Sequence, residues 1–97
     1  FNGLLARQRN TLLRLIKGLR NNGVARIGDR EAEALADNML LVMTYWIPFA
    51  EVRGDPGLAD GSVLSEAVAR VLYLVLPHLR EPEASQVEAL ANSYREM

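Results

Sequence analysis

Four stretches of the chain repeat apolar residues with the period of an amphipathic helix, and none alternates with the period of a strand. The spacing predicts helices over residues 2–21, 30–53, 63–79 and 82–96. Short segments rich in Asn, Gly, Asp or Pro separate these helices. The pattern therefore predicts an all-α fold, a four-helix bundle fragment with orthogonal or antiparallel packing.

Residues that favour helix ends lie at the predicted boundaries. Asn21-Asn22-Gly23 can adopt the left-handed conformation that ends a helix, and Asp29 and Ser62 are expected as N-caps. Pro82 suits the first position of the last helix, because proline lacks the N–H that is unpaired there. Residues 55–61 are expected to form a loop.

The second helix contains the most apolar stretch of the sequence, residues 39–50. Apolar side chains cover far more of its circumference than the ~100° stripe of an ordinary surface helix. Pro48 lies inside it and removes one backbone hydrogen bond, so we expect a kink, with the helix continuing to Arg53 and ending at Gly54. The excess of apolar surface indicates that this helix is covered on two sides.

Composition limits the class of protein. The 97 residues suffice for one domain, and the absence of cysteine excludes disulfides and thiolate chemistry. No apolar run has the ~20 residues of a membrane span. We therefore expect a cytoplasmic protein that completes its small core by association.

The charges are distributed unevenly along the chain. Residues 1–28 carry five arginines, one lysine and no acid, whereas all twelve acids lie in residues 29–97. The basic face of the first helix is compatible with nucleic-acid binding. No aromatic residue is interleaved for base stacking, so we favour a solvated face.

Catalytic chemistry has little support. His78 is the sole histidine and lies on the apolar side of the third helix, where a packed or helix-terminal role is expected. No phosphate loop, metal-ligand spacing or nucleophile motif is present. We expect no enzyme activity, no cofactor and no metal site.

Polar atoms within the apolar arc of the second helix have two interpretations. Asn38, Tyr45 and Trp46 could simply pack, with their polar atoms reaching backbone carbonyls. They could also mark a ligand pocket with apolar walls and a few orienting groups. The residues predicted to bind a ligand are Asn38, Met39, Val42, Met43 and Trp46.

The second and third helices have more apolar surface than one antiparallel contact requires. Two such helices from each of two copies would form an intermolecular four-helix bundle with two-fold symmetry. Alternatively, the remaining helices cover these surfaces within one chain. We favour a homodimer, with an interface of Leu41, Tyr45, Phe49, Val52, Leu64, Val68, Val71, Leu72 and Val75.

Two segments carry a family resemblance. Leu-Val-Met-Thr-Tyr-Trp-Ile-Pro-Phe-Ala-Glu-Val at 41–52, preceded by Ala-Leu-Ala-Asp-Asn at 34–38, resembles the ligand-binding and dimerisation domain of TetR-type bacterial transcriptional repressors. Val-Leu-Tyr-Leu-Val-Leu-Pro-His-Leu at 71–79 is similar to the following helix in one branch of that family. The resemblance covers about residues 1–80.

The resemblance implies a regulatory domain that pairs through two long helices and binds a small apolar effector beside them. Such repressors read operator DNA with an N-terminal helix-turn-helix domain, which we expect to lie outside this chain. The sequence alone leaves open a helical interaction module that dimerises without a small-molecule ligand.

Overall fold

The computed structural model describes residues 2–96, which fold into five α-helices. Their order along the chain is α1 (Asn2–Asn21), α2 (Asp29–Arg53), α3 (Gly57–Asp60), α4 (Ser62–Val75) and α5 (Glu83–Arg95), with a 3₁₀ turn at Leu76–His78. The predicted all-α class is confirmed. None of the helices in the described part has the length and hydropathy of a membrane span.

The structure differs from the predicted helix boundaries in five places. The loop expected at residues 55–61 contains the one-turn helix α3. α2 begins at Asp29, with Gly28 as its N-cap, and the Glu31 carboxylate accepts the Gly28 N–H at 3.2 Å. The prediction that Asp29 is the N-cap was therefore wrong by one residue.

Ser62 is the first residue of α4 rather than its cap, which is Gly61; the Asp60 carboxylate accepts the Ser62 N–H at 2.9 Å. α4 ends at Val75, four residues before the predicted end. Pro77 has no N–H to continue the helical bonding, so the chain tightens into the 3₁₀ turn. Pro82 precedes α5 instead of starting it.

α2 runs through Pro48 as one helix to Arg53, as predicted. Gly54 ends it with φ 71°, a conformation that disfavours residues with a Cβ atom. Gly57 is needed for space: a Cβ atom there would collide with the Ser62 hydroxyl and lie 3.0 Å from the Asp55 carboxylate.

The helices form an open row rather than a closed bundle. α1 packs on α2, α2 on α4, and α4 on α5, while no close packing joins α1 to α4 or α5 within residues 2–96. A two-residue antiparallel bridge fastens the α1–α2 and α4–α5 connections: the Arg26 N–H reaches the His78 carbonyl at 2.7 Å, and the Arg80 N–H reaches the Val24 carbonyl at 2.8 Å.

The main hydrophobic core lies where α1 crosses the N-terminal half of α2. Its buried members are Leu12, Ile16, Ile27, Ala32, Leu35 and Ala36. Elsewhere the buried apolar residues are Val63 and five alanines, Ala25, Ala50, Ala67, Ala69 and Ala91. No large side chain in the described part is fully buried, so the apolar area removed from water is small.

The open row leaves an unusually large surface. The chain exposes 6419 Å², whereas a compact monomer of its mass exposes about 5,500 Å². Its radius of gyration is 14.3 Å, compared with about 12.5 Å for a compact domain of this length. The shape is flat, 40 × 34 × 15 Å.

Two ion pairs join the basic face of α1 to α2. Arg9 contacts Asp37 and Arg20 contacts Asp29, each at 2.6 Å. The hydrogen bond from Arg20 lowers the pKa of Asp29, and the bond to Asp37 raises the pKa of Arg9. Part of the basic face predicted to be solvated therefore pairs with acids of the same chain.

A test of the main core compares two neighbouring residues of α1. Ile16 is 3% exposed and Leu15 is 62% exposed. Ile16→Ala should lower the free energy of unfolding by about 2–5 kcal/mol, because it leaves a cavity in the core. Leu15→Ala should change it by no more than about 0.5 kcal/mol if no partner covers that position. Equal losses in urea unfolding would contradict the placement of the core.

A second test concerns the loop after α2. The Asp55 carboxylate accepts the Gly57 N–H at 2.8 Å and pairs with Arg53 at 2.6 Å, and both interactions lower the pKa of Asp55 from its ordinary 3.8. A lowered pKa stabilises the fold above the ordinary value, and this contribution is lost as the pH falls through the lowered pKa. Asp55→Asn should therefore lower Tm at neutral pH, and this loss should shrink progressively as the pH falls below 3.8.

The control for this pH test is Glu88→Gln, which removes an exposed carboxylate of α5. Thermal unfolding followed by circular dichroism across the acid range measures both variants. A Tm difference for Asp55→Asn that stays constant down to the lowest pH would show that Asp55 does not act through its charge.

Candidate functional site

Trp46 is the centre of the most developed polar and aromatic cluster in the described part of the chain. It lies in the C-terminal half of α2, and its indole N–H donates to the Val63 carbonyl of α4 at 3.2 Å. Its ring lies 5.6 Å from that of Phe49, at an angle of 43°. This bond fixes the indole between α2 and α4, because a partly buried Trp N–H needs an acceptor.

Two guanidinium groups lie over this aromatic pair. Arg70 of α4 is 4.4 Å from the Trp46 ring centroid, and Arg53 at the end of α2 is 4.9 Å from that of Phe49 and 5.4 Å from that of Trp46. Such distances permit cation–π attraction. Each arginine also has a carboxylate partner: Arg70 pairs with Glu66 at 3.1 Å and Arg53 with Asp55.

A cavity of about 420 Å³ opens beside Trp46, between α2, α4 and α5; we call it the Trp46 cavity. It is lined by Val42, Trp46, Glu66, Arg70, Tyr73, Leu74 and Arg95. A smaller recess of about 310 Å³ shares Trp46, Glu66, Arg70 and Arg95 and extends toward Arg53 and Asp55. The volume of the Trp46 cavity lies within the range of small-molecule sites, ~300–1,000 Å³.

A second concave surface, the apolar groove, has a different composition. Its volume is about 370 Å³, and its lining contains no charged residue: Met43, Trp46, Ile47, Leu64, Ala67, Val68, Val71 and Leu72. Trp46 is therefore shared by an arginine-rich cavity and an apolar groove. The two surfaces therefore differ in chemistry: the Trp46 cavity offers charged groups, and the lining of the apolar groove offers none.

The residues predicted to bind a ligand do not surround one cavity. Val42 and Trp46 line the Trp46 cavity, whereas Met43 is 52% exposed and lines the apolar groove. Asn38 lines a separate recess of about 210 Å³ with His78. Met39 packs against the main core.

The residues predicted at the dimer interface fall into two sets. On α4, four of them share the apolar groove: Leu64, Val68, Val71 and Leu72. On α2, four of them follow one face of the helix at the spacing i, i+4, i+8 and i+11. Each is at least half exposed: Leu41, Tyr45, Phe49 and Val52. Val75 is partly buried against the main core.

Sequence reasoning missed the arginines of the site. Arg53, Arg70 and Arg95 belong to three different helices, so their meeting near Trp46 depends on tertiary packing. The one local signal was the spacing of Glu66 and Arg70, which predicts an i, i+4 pair on one helix face. Within residues 2–96, no group of three or more His, Asp or Glu residues could hold a metal ion.

Comparison with known families gives one result. The model of the family described as "TetR: Bacterial transcriptional repressor" matches residues 1–87. Searches of curated proteins and of solved structures gave no match. The family match covers most of the chain, including α1, α2 and α4 and the residues around Trp46 from these helices. The chain belongs to the TetR family of bacterial transcriptional repressors.

Proposed function

We propose that this chain is the effector-binding and homodimerisation part of a TetR-family repressor. In this proposal, α2 and α4 pair with the same helices of a second copy, and a small effector occupies the Trp46 cavity. Operator DNA is read by a helix-turn-helix domain outside these 97 residues. An effector then acts by binding one arrangement of the helices more tightly than another.

The observation that carries the dimer proposal is the apolar surface left open by the row of helices. The total surface exceeds that of a compact monomer by about 900 Å², which is comparable to the ~800 Å² that one partner contributes to an interface of standard size. Leu64 is 62% exposed at the edge of the apolar groove. A second copy that inserts its own α4 there would cover this surface in a self-complementary way.

The effector proposal is supported by the Trp46 cavity. Val42, Leu74 and the indole supply apolar walls, and a few polar groups converge at its edge. Such a composition is typical of small-molecule sites. The cavity and the apolar groove share Trp46, so a ligand on one side could alter helix packing on the other.

A substitution at an exposed position tests the dimer. Size exclusion with light scattering should give twice the chain mass of 10.8 kDa at micromolar concentration. Leu64→Asp should give a folded monomer, because the new carboxylate is hydrated in the monomer but buried and unpaired in the dimer. Leu90→Asp is the matched control, since Leu90 is 48% exposed on α5 and lies outside the proposed interface.

Two results would contradict the dimer proposal. The first is a wild-type monomer that unfolds cooperatively. The second is a dimer that survives Leu64→Asp and dissociates in Leu90→Asp, which would move the interface to α5. A dimer of the proposed geometry that binds no small molecule would support the alternative, an interaction module.

The effector site is tested by filling the Trp46 cavity. A thermal-shift screen of small molecules should give ligands that stabilise the protein by about 2.7 kcal/mol at a concentration of ~100 Kd. Val42→Trp should abolish this protection, because the larger side chain occupies the cavity. Glu51→Trp, at an exposed position of α2 outside both the cavity and the proposed interface, should retain it. Protection that survives Val42→Trp but is lost in Met43→Trp would assign the effector to the apolar groove instead.

A further inference from the structure

The charges around Trp46 do not balance. Among residues 2–96, three arginines line the Trp46 cavity and its adjoining recess, Arg53, Arg70 and Arg95, but only two carboxylates do, Asp55 and Glu66. Each carboxylate is already paired with one arginine. One positive charge is therefore left, and the side chain of Arg95 makes no ion pair or hydrogen bond to the rest of residues 2–96.

The paired arginine next to the cavity also keeps donors for a ligand. Arg70 uses its Nε–H for Glu66. A guanidinium has five N–H donors, and the hydrogen bond to Glu66 leaves the Nη groups of Arg70 without an acceptor in the described part of the chain. A planar guanidinium binds a carboxylate through two parallel hydrogen bonds, which gives orientation as well as attraction.

Apart from the arginines and Glu66, whose carboxylate is paired with Arg70, most of the cavity lining is apolar. Val42 and Leu74 are partly buried there, and the indole of Trp46 is fixed by its bond to the Val63 carbonyl. The Tyr73 hydroxyl donates to the Asn92 side chain, so its proton is already used. The cavity therefore combines an apolar surface beside the Trp46 indole with a cationic edge formed by Arg70 and Arg95.

The other concave surfaces lack this combination. The apolar groove has no charged residue in its lining, and the recess beside Asn38 contains Glu31 but no arginine. On α1, Arg9 and Arg20 are paired with acids of α2 and line none of the four concave surfaces described. An anion with an apolar body finds both complementary surfaces together at the Trp46 cavity.

We infer that the Trp46 cavity binds a small molecule that joins an apolar, ring-sized body to a single carboxylate, held by Arg95 and the Nη groups of Arg70. This inference rests on the proposed effector function and specifies the chemical class of the effector. It adds a carboxylate to the small apolar effector that the family resemblance implied.

The test compares a charged probe with its uncharged isostere. Isothermal titration calorimetry at low ionic strength measures the binding of 1-naphthoate and 1-naphthamide to the wild-type chain. Naphthoate should bind about tenfold more tightly, because its carboxylate forms charge-assisted hydrogen bonds that the amide cannot. Raising the salt to ~0.5 M should reduce this preference, because the cationic edge is open to solvent.

Two variants show which arginine is responsible for the preference for naphthoate over naphthamide. Arg95→Gln should remove most of the difference between the two probes without unfolding the protein, since this side chain makes no bond that the fold depends on. The matched control is Arg14→Gln, an exposed arginine of α1 distant in sequence from the cavity, which should keep the preference. Circular dichroism and light scattering confirm that each variant keeps its helices and its mass.

The outcomes separate this inference from the proposed function. Equal affinity for the two probes would overturn the carboxylate class and leave an apolar effector site in place. The carboxylate class would also be overturned if naphthoate does not bind at millimolar concentration while the thermal-shift screen finds a ligand of another class. In that case the proposed function stands. A naphthoate preference that persists in Arg95→Gln and disappears in Arg14→Gln would assign the anion to α1 and contradict the inference.

Discussion

Helices packed in an open row cannot cover one another on every side, and this constraint governs the rest of the molecule. Closure would require α1 or α5 to fold back over α2 and α4, and neither does so within residues 2–96. The core is consequently concentrated at the crossing of α1 and α2, with alanines at most of the other buried positions. Alanine permits close helix approach but removes little apolar area from water.

The same constraint explains why α2 is apolar around so much of its circumference. Its N-terminal half is covered by α1, and part of its C-terminal half by α4. The outer stripe through Tyr45 and Phe49 remains exposed, as does Met43 at the apolar groove. About half of each of these apolar side chains stays exposed in an isolated chain, and this is the physical basis for proposing a second copy.

The sequence predicted correctly those elements that depend on residues close together in the chain. The periods of α1 and α2, the stop at Gly54 and the passage of α2 through Pro48 were all predicted from neighbouring residues. α3 was missed because Asp55, Pro56 and Gly57 are typical of turns, and its single helical turn depends on packing against α4. The end of α4 was placed too late because Val75, Leu76 and Leu79 continue the apolar pattern past Pro77.

The candidate site was less accessible to sequence reasoning. Trp46 and Val42 were identified because they lie in one apolar stretch, but Met43 of the same stretch and Asn38 just before it line other surfaces. Arg95 lies 49 positions from Trp46, and only the packing of α5 on α4 brings it to the cavity. Charge balance at a site is a property of the fold, and no local spacing encodes it.

The central claim, that the apolar groove between α2 and α4 is covered by a second copy of the chain, is tested most directly by thiol reactivity. The chain has no cysteine, so Leu64→Cys and Leu90→Cys each introduce a single reactive thiol. Both positions are exposed in the isolated chain, 62% and 48% respectively. The account predicts that a maleimide modifies Cys at position 64 far more slowly than Cys at position 90 at high protein concentration, and that dilution removes the protection. Equal rates for the two thiols at every concentration would contradict it.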